Sequence, residues 1–238
     1  MKIKGIILLI GFLNPMLSFG QRELAMIKDT DGYVYVRAEK DANSEILMTL
    51  KEGDFFLCEP SNEDWWRIDT FSVPIGYVHK SRIRMIKDLT EQQQRSLIIN
   101  TINKLGEYRA EYDSLRLTLS NDARMQLIGA FEDFEETHYS PLLPFLSQLF
   151  CKNRDVDLLD RYLRIMIINQ MSANEMPAWT LGDCYLCYPD LVIKQIKSFK
   201  HEDKEYLWEM LVFGFENVTE QNEDLIENYQ ELKDRLKE

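Results

Sequence analysis

The feature that most constrains the fold is a change of hydrophobic pattern at Lys87-Asp88-Leu89. Before this point, apolar residues come in short runs broken by turn residues, as in small β-sheets. After it, they recur at spacings of three and four residues, as in amphipathic helices. We therefore expect an α+β chain of two domains, residues 21–87 and 88–238, each able to bury a core of its own.

Five short strands are predicted in the first domain. Tyr33–Arg37 alternates aromatic and β-branched residues and follows the turn signal Asp31-Gly32. The other four are expected at 46–50, 54–58, 65–68 and 76–78. Pro74 lacks the N–H that a central strand needs, so the stretch before Gly76 is expected to be irregular. Short strands with turn residues between them favour a small barrel that closes to hide its edges.

These strands resemble the bacterial SH3-like (SH3b) domain over about 60 residues. The resemblance rests on Tyr35-Val36-Arg37, Ser44, Ile46-Leu47, Leu50, Gly53, Trp65-Trp66-Arg67-Ile68, Gly76-Tyr77-Val78 and Ser81-Arg82-Ile83. It implies an SH3-like β-barrel that binds an extended ligand, either a cell-wall peptide or a protein segment. Ala38-Glu39-Lys40 stands where that family usually has Ser-Gly-Pro, so we expect the long loop to differ in conformation.

Alternation along the strands predicts a candidate ligand-binding strip. If Val34 and Val36 face the core, their neighbours on the same strand face outward. An inward Ile68 likewise directs Trp66 inward and Trp65 outward. The candidate site residues are Tyr33, Tyr35, Arg37, Trp65 and Tyr77. Aromatic rings in a row suit an extended peptide or a sugar ring. The alternative is that these rings cover the small core or dock onto the helical domain.

The second domain is predicted to be all-helical. Thr90 followed by Gln93 is a capping-box pattern that begins a helix of about 28 residues. Further helices are expected at 122–136, 141–150, 155–169, 189–199, 202–215 and 222–236. Gly182 and Gly214 are expected near helix ends. Leu181-Gly182-Asp183 before Tyr188-Pro189 weakly resembles HEAT-like repeats, so a right-angled bundle and a stack of helical hairpins both remain open.

The first 20 residues have the layout of a secretory signal peptide. Lys2 and Lys4 precede an apolar run from position 5 to 13, and Ser18-Phe19-Gly20 places small residues before a cut ahead of Gln21. The run is too short to span a bilayer, which needs about 20 residues. No cysteine lies near the cut to receive a lipid. We therefore expect a periplasmic or secreted protein, with a short membrane anchor or a buried strand as the alternatives.

Charge narrows the choice of partners. The first 20 residues hold two of the 28 basic residues and none of the 40 acidic ones, so the chain without them carries a net charge of −14. Such a surface repels phosphate backbones and anionic lipids. Nucleic acid and membrane surfaces are therefore poor partners, and no segment after the signal is long and apolar enough to span a membrane.

The four cysteines are too few for a disulfide scaffold in a chain of this length. Cys184 and Cys187 have the spacing of a redox pair or of half a zinc site, but the sequence offers no second pair and no histidine cluster. An ordinary buried or free pair is the leading interpretation, and a disulfide between them is the next. No cofactor or metal is predicted.

Two catalytic arrangements can be considered and set aside. The acidic residues Glu132, Asp133, Glu135 and Glu136, with His138, have the composition of a metal or acid–base site, but a solvated helix face is the commoner meaning. Cys151 and His201 follow the order of a cysteine peptidase. However, Cys151 is predicted at a helix end, where the dipole disfavours a thiolate.

The sequence therefore favours a non-catalytic exported binding or scaffold protein. Its SH3-like domain would hold the ligand, and the helical domain would supply a second interaction surface. The alternative is an immunity-type inhibitor or interaction partner of another secreted protein, acting through the helical domain. A cell-wall-processing enzyme with an unrecognised site comes third.

Overall fold

The computed structural model of the protein describes residues 22–70, 73–170 and 172–219. The predicted signal peptide and the predicted last helix at 222–236 lie outside these residues. The chain begins with a seven-stranded antiparallel sheet, which is followed by helices, so the two-part α+β layout is confirmed. No described helix is both long and apolar enough to cross a membrane.

The sheet has the strand order β3-β2-β6-β5-β4-β1-β7. The strands are β1 Glu23–Ile27, β2 Tyr33–Arg37, β3 Ile46–Lys51, β4 Phe55–Glu59, β5 Trp65–Thr70, β6 Val73–His79 and β7 Ile83–Met85. One face of every strand contributes to a single core cluster, whose most buried members include Ala25, Val36, Phe56, Ile68 and Val78. A sheet whose two ends pack into one cluster must be strongly curled, with this face inside.

Two of the seven described strands, β1 and β7, were not predicted. β7 has only three residues, and β1 pairs with β4 and β7, which are both distant from it in sequence. The expectation that Pro74 excludes a central strand is wrong, since β6 lies between β2 and β5. The register explains why. β6 pairs with β2 at Tyr77, whereas Val73 beside the proline pairs only with β5, at Thr70. The missing N–H of Pro74 therefore falls outside the stretch that β2 pairs with.

The outer face of the sheet has two unlike halves. On β1 and β4, the paired residues Leu24 and Leu57, and Met26 and Phe55, point away from the inner core. They pack instead against the cluster formed by the helices. On β5, β6 and β2, the outer face carries aromatic and charged residues that do not belong to either core cluster. The helices of the described residues therefore pack on one half of this face and not on the other, which we call its uncovered half.

Seven α-helices follow within the described residues. They are α1 Glu91–Leu115, α2 Asn121–Phe134, α3 Leu143–Asn153, α4 Val156–Ile168, α5 Met176–Cys187, α6 Pro189–Lys197 and α7 His201–Thr219. The predicted capping box is present: the Thr90 hydroxyl accepts from the Gln93 N–H, and the Gln93 side chain accepts from the Thr90 N–H. Between α2 and α3 the chain makes a π-helical turn, Glu135–Tyr139, and a 3-10 turn, Ser140–Leu142.

Helix α5 was missed, and the expectation that Gly182 and Gly214 lie near helix ends is wrong. Both glycines lie inside helices, where α5 and α7 cross. A Cβ built on Gly214 would stand 1.9 Å from the Ala178 carbonyl oxygen. A Cβ on Gly182 would stand 3.3 Å from the Gly214 carbonyl carbon. These residues are glycines because the two backbones approach too closely for a side chain.

The cysteine pairing also differs from the leading interpretation. A disulfide joins Cys151 at the end of α3 to Cys187 at the end of α5. Cys184 is free and buried, and burial raises the pKa of its thiol well above its ordinary value. Spacing within the sequence could not identify the pair, because the packing of α3 against α5 decides it. Since its sulfur is in the disulfide, Cys151 is not a free nucleophile in this structure.

Candidate functional site

The five predicted site residues lie on one face of the sheet, its uncovered outer half. Arg37 on β2 pairs directly with Tyr77 on β6, and Tyr77 pairs with Arg67 on β5. Residues opposite each other in an antiparallel pair share a face. Tyr77 therefore stands in a row between two guanidinium groups.

A second row runs beside the first. Trp65 on β5 pairs with His79 on β6, and their rings meet edge to face with centroids 5.5 Å apart. On β2, Tyr35 lies two residues from Arg37 and so shares its face. Tyr33 extends the row, with its ring 5.4 Å from that of Tyr35. We call Tyr33, Tyr35, Arg37, Trp65, Arg67, Tyr77 and His79 together the outer aromatic face.

Exposure and packing together distinguish these rings from the residues of the core. Tyr33 is 42% exposed and Tyr35 is 38% exposed, while their neighbour Val36 is fully buried. Trp65 is half-buried and lies outside both core clusters. Trp66 packs against the inner core and donates its indole N–H to the Ser61 carbonyl at 3.0 Å. The two tryptophans therefore face opposite sides of the sheet, as alternation predicts.

The long loop after β2 closes over part of this face. Arg37 donates to the Ser44 carbonyl at 2.7 Å, and its guanidinium carbon lies 5.4 Å from the Tyr35 ring centroid. Lys40, in the segment that departs from the SH3b pattern, places its ammonium 5.6 Å from the Tyr77 ring centroid and pairs with Glu63. A ligand that covers Tyr77 must therefore share it with Lys40 or displace it.

Sequence reasoning missed His79, and it left Arg67 out of the site residues although alternation places it on the face of Trp65. Their signal was present, because each lies two residues from a predicted member on the same strand. What the sequence could not supply was the strand order, which places β6 between β2 and β5. The His79 ring contacts that of Trp65 and lies on β6, the strand between Trp65 on β5 and the tyrosines of β2.

A separate site, which is concave, lies where the sheet meets the helices. It is a cleft of about 1280 Å³, with Leu24 and Leu57 of the sheet on one side. The helical side includes Tyr112 from α1 and Phe131 from α2, and Phe145 comes from α3. Clefts between two parts of a chain are common places for ligand sites. No motif predicted it, since it is built by the docking of β1 and β4 on the helices.

The π-helical turn places a buried carboxylate in the lining of this cleft. Ser140 donates its backbone N–H to the Glu135 carbonyl, the five-residue spacing of a π-helix. Glu135 is only 4% exposed. Its two carboxylate oxygens accept from Asn169 Nδ2 at 2.6 Å and from Ser172 Oγ at 2.7 Å. Single π-helical turns of this kind occur frequently at functional sites.

The acidic cluster is thus only partly the solvated helix face that was expected. Glu132, Asp133 and Glu136 are exposed, but Glu135 is buried. His138 stacks on Phe134 and packs against Phe55 of the sheet. Burial lowers the pKa of His138, and the nearby Asp54 and Asp133 oppose that effect. Among the described residues, no group of three or more His, Cys, Asp or Glu side chains is arranged to hold a metal ion.

Models of known protein families gave no match to this sequence, and neither did the curated proteins. Any functional assignment has to be argued from the chemistry of the outer aromatic face and of the cleft. Within the described residues, the outer aromatic face and the cleft are two places where apolar area and polar groups converge.

Proposed function

We propose that this chain is a non-catalytic binding protein that holds an extended ligand on the outer aromatic face. The observation that carries this proposal is the division of the outer surface of the sheet. One half is buried under the helices, whereas three adjacent strands carry aromatic rings and two arginines on the other half, with the tyrosines of β2 exposed and the rings of β5 and β6 half-buried. An exposed aromatic surface of this kind on an otherwise acidic protein marks an interaction site.

The chemistry of the face indicates what it holds. Tyr77 between Arg37 and Arg67 offers a flat ring with a cation on each side, of which Arg67 is paired with Glu59 at 3.1 Å and Arg37 has no carboxylate partner among the described residues. Guanidinium groups favour carboxylates, and tyrosine and tryptophan rings cover apolar surface at small entropic cost. A peptide with carboxylate groups spaced along an extended backbone matches this arrangement. The proposed ligand is a cell-wall peptide or a segment of a protein partner, the classes that the SH3b resemblance implies.

We further propose that the curled sheet is an SH3-like barrel. The strongly curled inner core and the β2–β6–β5 arrangement support this, and the outer rings stand on the strands that carry the SH3b resemblance. The seven strands exceed the five that were predicted. For the helical part, the strongest packing joins helices that are not consecutive, α5 on α7 and α3 on α5, and this supports a bundle rather than a stack of helical hairpins.

Export to the periplasm or the extracellular space completes the proposal. It is supported by the signal-like layout of the first 20 residues. The Cys151–Cys187 disulfide adds a second reason, because such bonds persist in oxidising compartments and are rare in the cytosol.

The paired tryptophans provide the experiment. Trp65→Ala should leave the fold intact and weaken binding by about 30-fold, the effect of losing one hot-spot ring. Trp66→Ala should instead destabilise the domain by about 3 kcal/mol, at the low end for a buried aromatic residue because the ring is half-buried. Titrations with cell-wall peptides and thermal melts would measure both quantities.

The matched variants also separate the alternatives. Equal destabilisation by both substitutions would mean that Trp65 belongs to the core. A partner from envelope extract that binds wild type and Trp65→Ala equally would contradict the proposal and favour an inhibitor-type interaction through the helices. Loss of such binding at high salt would then point to the acidic helical surface.

A further inference from the structure

We infer that the cleft between the sheet and the helices is a second binding site, and that its ligand carries a cationic group on an apolar body. The site is distinct from the outer aromatic face, since the two share no residue. The inference rests on the shape of the cleft, on the distribution of charge around it and on the buried Glu135.

The apolar part of the ligand follows from the walls. Leu24 and Leu57 line the sheet side, and Ile128, Phe131 and Phe145 line the helical side. Burying apolar surface between them is favourable in proportion to the area removed from water. The volume of about 1280 Å³ exceeds the range typical of small-molecule pockets. The cleft therefore has room for an elongated ligand.

The positive side chains of the cleft already have partners. Arg22 pairs with Asp69 at 2.8 Å, and Lys87 pairs with Glu23. Arg109 pairs with Asp113 at 3.1 Å. Arg116 lies 3.8 Å from the same Asp113 carboxylate. An anionic ligand would have to compete with these carboxylates for each cation.

The carboxylates of the wall formed by α2 and the π-helical turn lack such partners. Glu132 and Glu136 stand one helical turn apart, and within the described ranges neither side chain has a cation within 4.0 Å. Glu135 between them is buried, and only the neutral donors of Asn169 and Ser172 satisfy it. The unmet requirement on this wall is for positive charge.

Glu135 is the independent observation that separates this wall from an ordinary solvated helix face. A buried carboxylate without a cation is costly, and such charges are usually paired. A π-helical turn and two polar side chains from a distant loop hold it in the lining of the cleft. An ammonium or guanidinium group beside Glu132 and Glu136 would supply the missing charge.

A matched series of probes tests the charge requirement. 4-Phenylbutylamine, 4-phenylbutanol and 4-phenylbutyrate share one apolar body and carry a positive, a neutral and a negative group. Calorimetric titration of the chain from residue 21 should rank the amine above the alcohol and the alcohol above the acid. Equal binding of all three, no binding of the amine, or preference for the acid would overturn the inference.

Charge-neutralising variants test whether Glu132 and Glu136 cause the preference for the amine. Glu132→Gln with Glu136→Gln should weaken the amine by about three- to ten-fold, the effect of losing two exposed charge interactions, and leave the alcohol unchanged. The control is Glu107→Gln with Glu111→Gln, which removes two exposed charges at the same helical spacing outside the cleft. An equal loss in the control variant would show a general charge effect and refute the site.

A pair of peptides then distinguishes the two sources of such a ligand. An acetylated, amidated hexapeptide of apolar residues with one lysine is compared with its norleucine counterpart. Lysine-dependent binding that is lost in the Glu132/Glu136 variant assigns the site to basic, apolar peptide segments. Binding of the amine without lysine-dependent peptide binding assigns it to small cationic amphiphiles.

Discussion

The crossing of α5 and α7 makes a sharp prediction about Gly214. In Gly214→Ala the new Cβ would stand 1.9 Å from the Ala178 carbonyl oxygen and 2.4 Å from its carbonyl carbon. Contacts below 3.0 Å are essentially never seen for a Cβ, and the opposing atoms belong to the backbone. The two helices must therefore separate by about 1 Å or more, and a rotamer change cannot relieve the clash.

The expected magnitude combines two opposing effects. Overpacking of a core typically costs about 1–3 kcal/mol, whereas alanine gains about 1 kcal/mol over glycine within a helix. Because separating α5 from α7 also loosens the buried Leu181, Leu211 and Phe215, we expect the overpacking cost to exceed its usual range. The net loss of unfolding free energy should be about 3 kcal/mol.

Two other glycines serve as controls in the same urea-denaturation assay. Gly129 lies on the exposed face of α2, and a Cβ there would meet nothing within 4 Å, so Gly129→Ala should stabilise the protein by up to about 1 kcal/mol. Gly182→Ala, with its nearest atom at 3.3 Å, should fall between the two. If Gly214→Ala lies within about 0.5 kcal/mol of wild type, the proposed close crossing is refuted.

Three further predictions concern the helical part and its contact with the sheet. Replacing both Cys151 and Cys187 by serine should lower the unfolding free energy by about 4 kcal/mol, as estimated from the 36-residue separation, and reductant should do the same to wild type but not to the variant. Because burial lowers the pKa of His138 below its ordinary 6.5, the unfolded state binds its proton first. Stability should fall as pH drops from about 6.5 through the folded pKa, and His138→Phe should lose that part of the pH dependence in melts across this range. Asp155 accepts from the Leu158 N–H as the N-cap of α4, so Asp155→Ala should cost about 1–2 kcal/mol in chemical denaturation, and an unchanged midpoint would contradict the cap.

Features set by neighbouring residues could be predicted from the sequence. The Thr90–Gln93 capping box and the outward direction of Tyr33 and Tyr35 depend only on residues within one turn or one strand. Helix α4 was predicted to within a residue at each end, because Asp155 caps a continuous apolar pattern.

Features set by contacts between distant residues could not be predicted from the sequence. Helix α5 contains Gly182, which disfavours a helix in isolation, whereas Pro177 lies in the first turn and does not; packing against α7 stabilises the helix. The Cys151–Cys187 bond depends on how α3 docks on α5. The order of β2, β6 and β5, which assembles the outer aromatic face, likewise depends on the curl of the whole sheet.

The cleft is the clearest example of a feature that depends on contacts between distant residues. Glu135 receives its hydrogen bonds from Asn169 and Ser172, which lie 34 and 37 residues later in the chain. From sequence alone, its acidic neighbours indicated a solvated helix face. Only the π-helical turn and the packing of the sheet on the helices distinguish Glu135 from Glu132 and Glu136.

Backbone amide shifts during titration with cell-wall peptides test the central proposal most directly. On the ¹⁵N-labelled chain from residue 21, we predict saturable shifts at Arg37, Trp65, Arg67, Tyr77 and His79, which share the uncovered half of the outer face. The amides of β1 and β4 beneath the helices should not move. Shifts confined to the cleft or to the helices would contradict the proposed function, and no shifts with any cell-wall peptide would contradict the cell-wall peptide as its ligand.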